Sequence, residues 1–257
     1  MREFEFKRIA KDVLNKLCIE VIDIPRKNAR TPDFEAHDKN SKYVIELKIK
    51  SDDSEERKKE AESLAQGEIV SSSIPIGPRN RLYGIVKEGV QQMMEHDPEH
   101  NAFHVIWLHS TGRDADLFNM RFRATLFGMQ NLVSTERPNV ITCYYFHESI
   151  FYSCRDELDG AILSCFDESG LKIQLCINTL SPNIQIFRES DLYKNLSKGL
   201  CDPDLLHEAI VADCDLDRKK IDEMMDYLRK KYKLNHLQTI NMQRHSAMVA
   251  LPDERRY

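Results

Sequence analysis

Thr31-Pro32-Asp33-Phe34-Glu35-Ala36, the polar run His37-Asp38-Lys39-Asn40-Ser41, and then Tyr43-Val44-Ile45-Glu46-Leu47-Lys48-Ile49-Lys50 together read as a β-hairpin. Strand-favouring residues flank turn-forming ones, and alternate residues of a strand share a face. Val44, Glu46, Lys48 and Lys50 therefore lie on one face, while Tyr43, Ile45, Leu47 and Ile49 lie on the other. The apolar face is expected to enter a core, and the charged face is expected to stay out of it. A strand with one solvated face is ordinary in antiparallel sheets. Asp33 makes this one unusual, because the hairpin can set its carboxylate beside that of Glu46. Two carboxylates gathered at one spot beside a lysine form a cluster that usually binds a hard cation through the carboxylates.

Outward from the hairpin, the chain alternates helical and strand patterns. Upstream, Phe6, Ile9, Ala10, Val13, Leu14 and Leu17 recur at helical spacing. Ile19 to Ile24 alternates as a half-buried strand and stops at Pro25, before a polar loop from Arg26 to Thr31. Downstream, the mixed charges from Asp52 to Glu60 suit a short exposed helix. Ser71-Ser72-Ser73-Ile74-Pro75-Ile76-Gly77-Pro78 has the composition of a mobile loop, either a linker or a lid over substrate. Leu82, Ile85, Val86, Gly89, Val90, Met93 and Met94 give a helix from Asn80 to about His96, ended by Asp97-Pro98. Ala102 to Leu108 is an apolar run typical of a buried strand. The order is helix, three strands, helix, strand.

Pro32-Asp33, a twelve-residue gap and Glu46-Leu47-Lys48 resemble the signature of the PD-(D/E)XK nuclease superfamily, and the element order resembles its αβββαβ core. The resemblance covers residues 1–108. It implies a restriction-endonuclease-like α/β core with a mixed sheet (α+β for the whole chain), in a nuclease-like domain over residues 1–130. An α+β subdomain of unassigned role would follow over residues 131–257.

The resemblance also implies roles for single residues. Asp33 and Glu46 match the acidic metal ligands, the Leu47 carbonyl adds an oxygen, and Lys48 matches the lysine that orients the attacking water and steadies phosphate charge. Many members carry a glutamate on the first helix. Glu5 is the candidate, with Glu3 behind it, although the position that aligns most simply is Lys7. Gly89-Val90-Gln91-Gln92 resembles the second-helix run that brings a glutamine to the site, with Gln92 preferred. The ligand chemistry suits Mg²⁺ or Mn²⁺. Arg79, Arg81, Lys50 and Lys87 are candidates for holding phosphates. The implied reaction is metal-dependent hydrolysis of nucleic-acid phosphodiester bonds, DNA ahead of RNA, in a defence, restriction or repair setting. The alternative is a catalytically silent nuclease-like module that binds nucleic acid or a partner protein. His37 follows Asp33 on its strand and can approach the site, though a solvated or core histidine is commoner.

At 257 residues and 41% hydrophobic content the chain can bury a substantial core. With 37 Lys and Arg against 42 Asp and Glu, the net charge of −5 does not advertise a nucleic-acid binder. Within residues 1–50, twelve basic residues outnumber nine acidic ones, so a basic surface would be local. A recruiting partner subunit or a homodimer would fit that balance. No apolar run approaches the length of a membrane span and the start lacks a secretory segment, so no membrane partner is expected and the expected compartment is the cytoplasm. Seven cysteines without a CxxC pair suit reduced thiols, and Cys143, Cys154, Cys165 and Cys176 recur every eleven residues as hairpin spacing rather than a metal site.

Beyond Leu108 a helix is expected over Asp114 to Gln130, with Arg113, Arg121 and Arg123 outside. Strands are expected at 140–146, 149–154, 161–166 and 171–177, helices at 203–212 and 217–232, and strands at 237–242 and 246–251. A winged helix-turn-helix would share the last pattern, but the acidic first helix favours a structural or oligomerising role.

Overall fold

One apolar side chain per turn makes Glu3–Lys16 a helix, α1, that buries Phe6, Ala10 and Leu14. In the computed structural model of the chain, which describes residues 3–25, 31–77, 80–240 and 244–251, α1 leads into an antiparallel meander. Its strands are β1 (Glu20–Asp23), β2 (Phe34–His37) and β3 (Lys42–Lys50). The β2–β3 turn is held by Asp38, whose side chain accepts the backbone N–H groups of Asn40 and Ser41. Phe34 stands opposite Ile45 in the register.

The exposed helix α2 (Ser54–Ala65) follows, capped by Asp53 and burying none of its residues. Next come β4 (Val70–Ile76), α3 (Asn80–His96) and β5 (Phe103–Ser110), which runs parallel to β3 and is buried along its whole length. The remaining elements are α4 (Ala115–Phe127), β6 (Gln130–Ser134), β7 (Arg137–Tyr144), α5 (Ile150–Ser153), β8 (Gly160–Asp167), β9 (Gly170–Ile177), α6 (Ile184–Phe187), α7 (Asp191–Asn195), β10 (Leu200–Cys201), β11 (Ile210–Val211), α8 (Ile221–Tyr232), β12 (Leu237–Thr239) and β13 (Arg244–Ala250).

The main sheet has the order β1-β2-β3-β5-β8-β9-β10 and is mixed. The β3–β5, β5–β8 and β9–β10 pairs are parallel, and the others are antiparallel. Both faces are covered. Phe6, Tyr43, Ile45, Leu47 and Trp107 belong to the core on the α1 side, and Val44, Val86, Val90, Ile106 and Phe122 to the core on the α3 and α4 side. This α/β layering places Glu46 under a helix, so the charged face of β3 is enclosed rather than solvated as its alternation suggests.

Several expected elements differ. The stretch read as a mobile loop at 71–78 is largely strand β4, which pairs antiparallel with β13; Pro78 lies outside the described residues. Its partner comes from the far end of the chain, so local composition could not reveal it, and a two-stranded ribbon accepts Pro75 because both of its strands are edges. The expected strand 149–154 is α5 instead, started by Ser149, whose side chain accepts the Tyr152 N–H. The expected helix 203–212 is a 3-10 turn, Pro203–Leu205, followed by β11. The division expected at 130/131 falls inside β6, after its first residue, and the main sheet draws β8, β9 and β10 from beyond it. All seven cysteines are free thiols, and Cys143, Cys154, Cys165 and Cys176 are buried. Among the described residues no helix is long and apolar enough to cross a membrane.

Candidate functional site

Asp33 enters β2 with its main chain already in the ladder, its N–H donating to the Ile45 carbonyl at 3.1 Å. That pins the side chain beside β3. Its Oδ2 accepts the Leu47 N–H at 2.9 Å, and its Oδ1 is ion-paired with Lys7 of α1. Glu46 and Lys48 share a face of β3, as a strand requires, and Lys48 Nζ lies 2.8 Å from Glu46 Oε1. Lys48 Nζ also donates to Gln92 Oε1 of α3 at 3.1 Å. The Lys7–Asp33 pair and the Glu46–Lys48–Gln92 set, contributed by the hairpin and two helices, meet at the main chain of Leu47, and the charges of Asp33 and Lys7 act on Glu46.

Gly89 explains how α3 comes so close. A Cβ there would stand 2.8 Å from Ile106 Cδ1, 3.2 Å from Glu46 Cγ and 3.5 Å from Lys48 Cε. A larger residue would have to displace the end of the Ile106 side chain and would press on the stems of Glu46 and Lys48. One turn on from Gly89, Gln92 faces the same way, whereas Gln91 donates to Glu95.

Burial sets the electrostatics. Glu46 is only 5% exposed. Loss of solvent, with the nearby Asp33 charge, pushes its carboxyl up to about 7 against the pull of Lys48 and Lys7. Glu46 Oε2 is buried without a hydrogen-bond partner among the described residues. A buried acceptor left unmatched is costly unless something else completes it. Its surroundings fit a hard cation: an orphan carboxylate oxygen, a second carboxylate across the hairpin, and the main chain of Leu47 between them. No group of three or more His, Cys, Asp or Glu side chains suited to a metal occurs among the described residues, so a cation here would rely on two carboxylates and main-chain oxygen.

The other expected residues fall at varying distances from this group. Lys50 continues the Glu46–Lys48 face, with Nζ 5.4 Å from the Phe118 ring centre. With Arg81 and Arg121 it lines a cavity of about 260 Å³ at the end of β3. Lys87 is exposed and lies over Tyr83 at 6.0 Å, on a different side of α3 from Gly89 and Gln92. Glu5 is exposed in the first turn of α1, and the helix presents Lys7 to Asp33 in its place. The two positions lie some 200° apart around a helix, so both cannot face the hairpin. His37 turns to Glu20 at 3.2 Å, at the turn end of the hairpin. Arg79 lies outside the described residues. Gly89 is the residue whose role the sequence signals least, because a glycine inside a helical pattern has no visible partner until β3 is in place.

No family model matches the chain, and no curated relative matches it. Among solved structures it is similar to the 1.6 Å structure of Archaeoglobus fulgidus Hjc, a Holliday junction resolvase from an archaeal hyperthermophile. The identity is 14% over 42% of this chain and 68% of that one, with a TM-score of 0.26, and a likeness of that size carries no conclusion about fold or activity.

Proposed function

We propose that this chain is a Mg²⁺- or Mn²⁺-dependent nuclease that hydrolyses phosphodiester bonds, with DNA as the substrate ahead of RNA. The observation that carries the reading is the buried, unpartnered Oε2 of Glu46 within the Asp33–Glu46–Lys48–Gln92 group. Asp33, Glu46 and the Leu47 carbonyl would hold the cation, which supplies Lewis acidity and charge neutralisation toward a phosphate.

The chain's own residues do the rest. Lys48 has three N–H donors; Glu46 Oε1 and Gln92 Oε1 take two, and the third is available to orient a water for attack. Gln92 acts through Lys48 as a positioning residue. Lys50 and Arg81, which line the same cavity, are proposed as contacts to phosphates next to the scissile one, and Lys87 and Arg79 as more distant backbone contacts. A second reading, a silent module that binds nucleic acid or a partner protein, is favoured by one observation: Lys7 already neutralises Asp33.

Incubation with single-stranded DNA, duplex DNA and RNA, with Mg²⁺, Mn²⁺ or EDTA, separates the two readings. The nuclease reading expects metal-dependent cleavage that is lost in Asp33→Ala and Lys48→Ala. Cleavage absent on every substrate, or unchanged in both variants, overturns it.

A further inference from the structure

We infer that Lys7 is a resident cation of the site, one that a divalent ion must displace from Asp33 in order to bind, so that Lys7 sets the metal concentration at which the site fills. The inference rests on the proposed metal site. Both oxygens of Asp33 are engaged: Oδ2 is fixed by the Leu47 N–H, so Oδ1 is the oxygen that can turn to a metal, and Oδ1 holds Lys7. With Asp33 and Glu46 both ionised, as a cation would hold them, the two ammoniums already balance the two carboxylates. Adding a divalent ion with both lysines in place would leave two positive charges in excess around Asp33 and Glu46, which low-dielectric surroundings penalise.

Lys7 is the cation better placed to leave. Lys48 is held between Glu46 and Gln92, inside the sheet–helix interface. Lys7 has a second carboxylate within reach, Glu3 Oε1 at 3.8 Å one turn earlier on α1, so its charge can move from Asp33 to Glu3 without becoming unpaired. The helix need not move. The neighbouring Phe6 is clamped by His109, stacked at 3.9 Å, and by Trp107, edge-on at 5.7 Å, so the four-carbon stem of Lys7 carries the whole displacement.

Mn²⁺ titration of the full chain, read by calorimetry and by loss of the free-ion electron paramagnetic resonance signal, tests the inference without any activity measurement. Lys7→Met is expected to tighten Mn²⁺ binding roughly tenfold or more, and Lys7→Gln to act in the same direction. Glu3→Gln removes the alternative acceptor and is expected to weaken binding in the wild-type background while having no effect beside Lys7→Met, a non-additivity that a general loss of surface charge would not give. Glu46→Ala serves as the control for the site itself, and circular dichroism confirms that each variant is folded.

Mn²⁺ binding that depends on Glu46 but is equal or weaker in folded Lys7→Met and Lys7→Gln overturns the role of Lys7 and leaves the metal site standing. Binding seen in Lys7→Met alone supports the inference. Absence of Glu46-dependent binding from every variant overturns the metal site, and the role of Lys7 with it.

Discussion

Two clusters of charge sit along β3, one at its middle and one just past its end, and they are built in opposite ways. Past the end, Arg57 of α2 donates through Nε and Nη2 to Asp52 at 2.9 and 2.6 Å, through Nη1 to Glu60 at 3.0 Å and through Nη2 to Asp114 at 3.1 Å. Arg113 adds its backbone N–H to Asp52 at 3.0 Å and its guanidinium to Glu60 at 2.9 Å. Gly112, at φ +95°, lets the chain pass so close that a Cβ would lie 2.5 Å from the Asp52 carboxylate. None of the side-chain nitrogens or oxygens of this network is left buried and unmatched. It ties α2 to the loop between β5 and α4. In the middle of the strand, by contrast, Glu46 keeps one unmatched oxygen and a raised pKa, and two lysines, point charges on flexible stems, stand where the other cluster uses the rigid fork of arginine. Charge density is similar in kind, but satisfaction is not. The satisfied cluster is a fastener, and the unsatisfied one is the cluster proposed as the site.

Substitutions can break that contrast. The largest expected effect is on chemistry at the unsatisfied cluster: Asp33→Ala or Lys48→Ala should lower metal-dependent cleavage by about a thousandfold or more in single-turnover assays while the chain stays folded. The fastener should answer in stability. Arg57→Ala removes the guanidinium shared by Asp52, Glu60 and Asp114, leaving them chiefly their Arg113 contacts, and should cost about 1–2 kcal/mol, read as a lower urea midpoint at unchanged m-value.

Glu46→Gln should move stability the other way. In an unfolded chain glutamate titrates near 4.3, whereas Glu46 in the fold titrates at about 7. Across that window the folded state keeps a proton that the unfolded state has released, so the wild type loses stability as pH rises from about 4 to 7 and does not regain it above. In EDTA, the Gln variant should therefore gain over the wild type roughly 3–4 kcal/mol at pH 8 and little at pH 4.5, by urea unfolding at the two pH values. The smallest effect belongs to Gln92→Ala. Lys48 keeps its Glu46 contact in that variant, so cleavage should fall roughly tenfold, with substrate affinity nearly unchanged.

What could be read from the sequence alone follows the distance over which each feature is specified. The hairpin is local: its turn residues, its period of two and the Asp33–Glu46 spacing all lie within twenty residues, so the neighbourhood of Asp33, Glu46 and Lys48 was legible before any packing was known. The helices of Phe6 and Val86 were legible for the same reason. The burial of Glu46 was not, because it depends on α3 approaching at Gly89. Nor was the strand at Val70–Ile76, whose partner β13 lies some 170 residues away. Ile150 to Ser153 has a strand-like composition, but the Ser149 cap turned it helical. Lys7 stands between these cases: its place on α1 was evident, while its partner, Asp33, is supplied by tertiary structure.

Diffraction from crystals grown with Mn²⁺ and measured at the manganese absorption edge tests the central claim most directly. The expected result is an anomalous peak about 2.1 Å from Glu46 Oε2, completed by Asp33 and the Leu47 carbonyl, with Lys7 turned toward Glu3. A site empty at millimolar Mn²⁺, with Lys7 still on Asp33 and Glu46 still unmatched, would contradict it.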